Sequence, residues 1–144
     1  MILCDVNVFV YAFREDTTEH PRLRRWLEDA LRAEEPFGVS ELVLAGFLRV
    51  STHPRVFQRP APLELALRFA ELVRASPHAV PVTPGSRHWE IFRRLCEGSA
   101  SRGNLVADAY LAALAIESGC EWITTDRDYA RFEGLRWRHP LAPV

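Results

Sequence analysis

Between Leu105 and Ile116 almost every residue is apolar or small on whichever side of a helix it falls, and Asp108 is the one break in the run. A helix that is apolar all round is expected in the interior of a fold. Ionised carboxylates rarely go there without a partner. Gly119 closes the run as a natural C-terminal cap. The stretch Glu121–Thr125 then leads straight to two further acids, Asp126 and Asp128. The segment from Gly103 to Tyr129 therefore poses one question to the rest of the chain: what holds Asp108 inside it.

The other elements are short and alternate in type. Ile2–Cys4, ending at Asp5, reads as a buried inner strand, and Val6–Phe13 as an apolar helix with Asn7 near its start. Pro21 opens an amphipathic helix whose apolar stripe is Leu23, Trp26, Leu27, Ala30 and Leu31. Phe37–Val39 is a minimal second strand. Ser40 is a good N-cap for a largely apolar, mainly buried helix from Glu41 to Val50. Residues 51–62 form a proline-rich loop, and Leu63–Arg74 is amphipathic. Pro81 confines the strand Ala79–Val82 to a sheet edge. A helix follows over His88–Cys96, then a polar loop, the helix 104–118, the strand 121–125, a short helical turn over Arg127–Phe132 and a last strand over Leu135–Trp137. Strands alternating with helices predict one α/β domain over residues 1–144, with a central, mostly parallel sheet of about five short strands flanked by helices.

Composition narrows the chemistry. All 18 basic residues are arginine. The absence of lysine excludes P-loop phosphate binding, Schiff bases and lysine general bases. Gly98–Gly103 has P-loop glycine spacing, but Asn104 stands where lysine is required. Asp5-Val6-Asn7 resembles the start of an aspartyl-phosphate motif, with Asn in place of its second Asp. No G-x-S-x-G elbow exists. The formal net charge of −1 gives no global attraction for nucleic acid, so any such binding is local. Cys4, Cys96 and Cys120 are too few and too scattered for a disulfide frame or zinc site, and imply a reducing compartment. With no apolar run of membrane length and an acid as early as Asp5, a cytoplasmic protein without a signal peptide is expected.

In open α/β sheets ligands bind beyond the carboxyl ends of the strands, where the strand order reverses. Asp5, Glu41 and Asp126 each follow a predicted strand, and Asp108 lies about one turn into the preceding helix. These four acids are expected to converge. Carboxylates packed together repel one another unless one keeps its proton or a hard divalent cation, Mg²⁺ or Mn²⁺, takes them as oxygen ligands. Taken singly, Asp5 also suits a turn cap, Glu41 a first-turn acid beside the helix dipole, and Asp126 a helix N-cap. Asp108 caps nothing. Asn7, Ser40, Thr124, Thr125 and Asp128 are candidates to orient the carboxylates or metal-bound waters, though turn and cap chemistry suits them too. Asp128 is also an alternative to Asp126 as direct ligand. Arg102 and Arg127 are the arginines nearest in sequence for backbone phosphates. The five histidines show no metal spacing and are expected at turns or on the surface.

In this order the acids resemble those of the PIN-domain nucleases, and within them the VapC toxins of bacterial toxin–antitoxin pairs. The pieces that carry the resemblance are Asp5-Val6-Asn7-Val8, Ser40-Glu41-Leu42, Asn104-Leu105-Val106-Ala107-Asp108-Ala109, Thr124-Thr125-Asp126-Arg127-Asp128-Tyr129 and the closing Phe132–Trp137. Tyr129 departs slightly from the pattern, in which the aromatic is commonly Phe. The resemblance is weak from Thr52 to Ser101. It implies a PIN-like three-layer sandwich and a Mg²⁺- or Mn²⁺-dependent endoribonuclease with Asp5, Glu41, Asp108 and Asp126 as catalytic and metal-holding acids. It also implies a homodimer neutralised by a VapB-like antitoxin, with DNA contacted only through that antitoxin. Two other readings are an inactive PIN-like binding module and a DNA-directed flap-type nuclease.

Overall fold

The computed structural model describes residues 1–143. Its strands are β1 (Ile2–Cys4), β2 (Phe37–Val39), β3 (Ala79–Pro81), β4 (Glu121–Ile123) and β5 (Trp137–Arg138). They form one sheet in the order β3-β2-β1-β4-β5, and every neighbouring pair is parallel. The helices are α1 (Val6–Phe13), α2 (His20–Arg32), α3 (Glu41–Ser51), α4 (Leu63–Arg74), α5 (His88–Ser99) and α6 (Asn104–Ser118), with a 3₁₀ turn over Arg127–Arg131. From β1 the chain steps outward through β2 to β3, then crosses back to β4 and β5 on the other side. The order therefore reverses between β1 and β4. Right-handed crossovers place α1–α4 on one face of the sheet and α5 and α6 on the other, in keeping with the packing of α1 on α2 and α3, α3 on α4, and α5 on α6. This is the expected three-layer α/β sandwich.

Each layer is closed by large apolar side chains. Leu3, Phe37, Trp122 and Ile123 are almost completely buried in the sheet. Phe9, Phe13, Phe47 and Phe69 knit α1, α3 and α4 together with ring centroids 5.1–6.5 Å apart. Gly46 on α3 permits a close approach, since a Cβ there would stand 2.8 Å from Val6 Cγ2. Pro81 lies on an edge strand as expected, because β3 is outermost.

Several expectations need correction. Helix α6 is interior at Ala109 and over Ala112–Ala115, while Val106 and Ala107 face outward. The reason is positional: the first turns of α6 border an open apolar groove of about 700 Å³ shared with α3 and α5. The same groove exposes Leu42 and Ala45, so α3 buries one face only. Helix α5 continues to Ser99, β4 stops at Ile123, and β5 is formed by Trp137–Arg138. His88 is buried, not superficial: its Nε2 lies 3.0 Å from the Tyr110 carbonyl and its ring packs on Tyr110.

Candidate active site

Asp5 leaves β1 at the reversal point and is 6% exposed. Three donors converge on its carboxylate. The Val6 amide donates to Oδ1 at 2.7 Å, while Asn7 Nδ2 and the Thr124 hydroxyl donate to Oδ2 at 2.8 and 2.6 Å. Thr124, just past β4 and fully buried, uses its whole hydrogen-bonding capacity. It also accepts from Asn7 Nδ2 at 3.1 Å and from the Asp126 amide at 3.0 Å. Asn7 Oδ1 accepts from the Thr125 amide at 3.2 Å. The parallel pairing of β1 with β4 sets Cys4 opposite Ile123, which brings the residues after both strands within reach of one another.

Asp126 caps the 3₁₀ turn by accepting from the Asp128 amide at 2.8 Å. Asp108 reaches the cluster from α6, where the Tyr129 hydroxyl donates to its Oδ1 at 3.3 Å. Burial raises the Asp5 carboxyl to about 6 against the opposing bonds from Thr124 and Val6, and the charges of Asp108 and Asp126 push it the same way. Asp108 is also raised, first by burial and then by Asp126 and Asp128, with the Tyr129 bond and the Arg131 charge acting against. Asp5, Asp108 and Asp126, from three separate segments, therefore share one electrostatic site.

The other residues singled out by sequence divide. Asn7 and Thr124 bond Asp5 directly, and Thr125 enters through its backbone amide alone. Ser40 caps α3 with a long 3.5 Å bond from the Val43 amide and touches none of the acids. The expected convergence of four acids is corrected to three, because Glu41 is 77% exposed and turned onto Arg74 Nη2 at 3.0 Å. Arg74 reaches it from α4. Asp128 is exposed and paired weakly with Arg131 at 3.7 Å. Arg102 and Arg127 are exposed. Sequence reading did not assign a role to Tyr129 or Arg131; their position in the turn after Asp126 was the one available signal.

As the side chains stand, no group of three or more acids, histidines or cysteines among the described residues is arranged to hold a metal ion. The donor chemistry nevertheless fits a hard dication. Burial and the neighbouring acids raise the proton affinity of Asp5 and Asp108 at this sheet edge, and a cation relieves that conflict.

The PIN domain family model matches residues 2–135. Ribonuclease VapC43 of Mycobacterium tuberculosis is 46% identical over 141 residues, covering 98% of this chain and 96% of that protein. The chain belongs to the VapC ribonucleases of the PIN-domain family. Another VapC relative, ribonuclease VapC25 of the same organism, is 43% identical over 97% of this chain and 99% of its own length. Among solved structures, VapBC-1 from nontypeable Haemophilus influenzae shares the VapC fold with a TM-score of 0.68 at 16% identity, covering 99% of this chain and 100% of that one.

Proposed function

We propose that this VapC chain is an endoribonuclease that hydrolyses RNA phosphodiester bonds with Mg²⁺ or Mn²⁺, and that it acts as the toxin of a VapBC-type pair. The observation that carries the reading is the meeting of Asp5, Asp108 and Asp126 at the point where the strand order reverses, with Asp5 raised to about 6. Asp5 and Asp108 would hold the cation, joined by Asp126, and by Glu41 once it leaves Arg74. When bound, the metal supplies a Lewis acid for the phosphoryl oxygen and a water of lowered pKa. Asn7 and Thr124 fix Asp5 in place, and exposed Arg102 and Arg127 are available to backbone phosphates. No side-chain nucleophile is needed, in keeping with the missing lysine and serine motifs.

The relatives' names support an RNA substrate, and the VapBC neighbour supports a VapB-like antitoxin as partner. We take the toxin as a homodimer that meets DNA only through that antitoxin. Among the described residues no helix is long and apolar enough to cross a membrane. The deciding experiment incubates the purified chain and its Asp108→Asn variant with total RNA and with matched DNA, with Mn²⁺ or with EDTA. Cleavage of RNA only, requiring both Mn²⁺ and Asp108, is the expected result. Equal cleavage by the variant overturns the assignment. Because the acids are not arranged around an ion as they stand, an inactive binding module is the second reading. It predicts no cleavage and no calorimetric Mn²⁺ binding.

A further inference from the structure

Tyr129 lies in the 3₁₀ turn after β4 and is 2% exposed. Its ring packs between Trp122 and Phe132, with centroids 5.4 and 5.7 Å away. A phenylalanine would fill the same space, so packing does not account for the hydroxyl. A buried phenol needs a polar partner, and here the partner is Asp108 Oδ1 at 3.3 Å. Among the described residues this is the one hydrogen bond that the Asp108 carboxylate receives. The Asp108 carboxylate is the acceptor for this hydroxyl. The contact also ties α6 to the turn carrying Asp126, which are two of the three segments that supply the site.

We propose that Tyr129 is a positioning residue for the cation: its hydroxyl holds one oxygen of Asp108 and leaves the other free of protein donors for the ion. This rests on the metal-dependent reading above. Groups that orient a ligand carboxylate without touching the metal set its rotamer and its basicity, and their loss commonly weakens metal binding by roughly 10–100-fold. The role belongs to the hydroxyl and not to the ring.

Calorimetric titration of the full-length protein with Mn²⁺ tests this, using the parent chain, Tyr129→Phe and Phe132→Leu, with thermal melts of each in EDTA. Tyr129→Phe is expected to weaken Mn²⁺ binding about 10-fold while its metal-free melting temperature stays close to the parent's. Phe132→Leu disturbs the same aromatic packing without touching the hydroxyl. It is expected to lower the melting temperature and leave Mn²⁺ affinity within about two-fold of the parent's. Unchanged Mn²⁺ affinity in Tyr129→Phe overturns the positioning role and leaves the metal reading standing. Equal loss of affinity in both variants overturns it too, because packing then accounts for the effect. A parent chain that binds no Mn²⁺ overturns the metal reading and the positioning role together.

Discussion

Thr124 gives its hydroxyl hydrogen to Asp5 across 2.6 Å, joining two residues 119 positions apart. The same oxygen accepts from Asn7 Nδ2 and from the Asp126 amide, so one small side chain ties two ligand-bearing turns to a third polar group. Thr124→Val keeps the shape and removes all three bonds. At about 1 kcal/mol for each bond lost, the expected destabilisation is roughly 2–3 kcal/mol, read from urea unfolding of the metal-free protein. Thr124→Ser keeps the hydroxyl and should recover most of it. A valine variant as stable as the parent would show that the network contributes nothing to stability.

How far this arrangement could be read from the sequence depends on the residue. Asp5 and Asp126 were legible because a short apolar strand before an acid places that acid at a sheet edge, and both also cap the element that follows. Asp108 was legible as a lone charge in an apolar run. Its depth was not: periodicity cannot show that the first turns of α6 face the groove against Leu42 and Ala45. Where the Glu41 side chain rests was not legible for a related reason. A strand-end position fixes where the backbone goes, whereas the direction of a long exposed side chain depends on a cation 33 residues away on α4. Tyr129 carries no helical or strand periodicity, and its hydroxyl acquires meaning only when α6 folds back over the 3₁₀ turn.

Gly46 lets α3 lie against the first turn of α1. A Cβ there would come within 2.8 Å of Val6 Cγ2, and the Val6 amide is one of the three donors to Asp5. Gly46→Ala improves helix propensity by up to about 1 kcal/mol. Overpacking against a β-branched side chain that cannot easily turn aside costs about 1–3 kcal/mol. The clash should win, giving a net loss of about 1 kcal/mol in chemical unfolding and a several-fold drop in RNA cleavage as Val6 pulls on Asp5. A stabilised, fully active variant would show that α3 and α1 separate freely.

Arg14 is the buried cation remote from the acids. Its guanidinium grips both oxygens of Asp16 at 2.9 and 2.6 Å, donates to the Ser51 and Arg59 carbonyls, and stacks 3.6 Å over the Phe57 ring. It thus pins the end of α3 and the proline-rich loop after it to the end of α1. Arg14→Lys cannot reproduce the planar fork and leaves carbonyl acceptors unpaired. Its expected cost is about 2–4 kcal/mol, accompanied by faster proteolysis within residues 51–62. Unchanged protease resistance would show that the loop is held by other contacts.

The raised carboxyl of Asp5 makes a signed prediction for pH. In the metal-free fold Asp5 titrates near about 6 against an ordinary 3.8, so between these values the folded chain keeps a proton that the unfolded chain has released. The associated stability is complete below pH 3.8 and is lost as pH rises through about 6. The loss is on the order of 3 kcal/mol at about 1.4 kcal/mol per unit. A dication on Asp5 replaces that proton, so its stabilising effect must grow over the same window. The melting-temperature gap between Mn²⁺-saturated and EDTA-treated protein should therefore widen from about pH 5 to 7 and level off beyond it. A gap of constant size across that range would mean that the cation does not compete with the proton on Asp5, and would remove Asp5 from the ligand set.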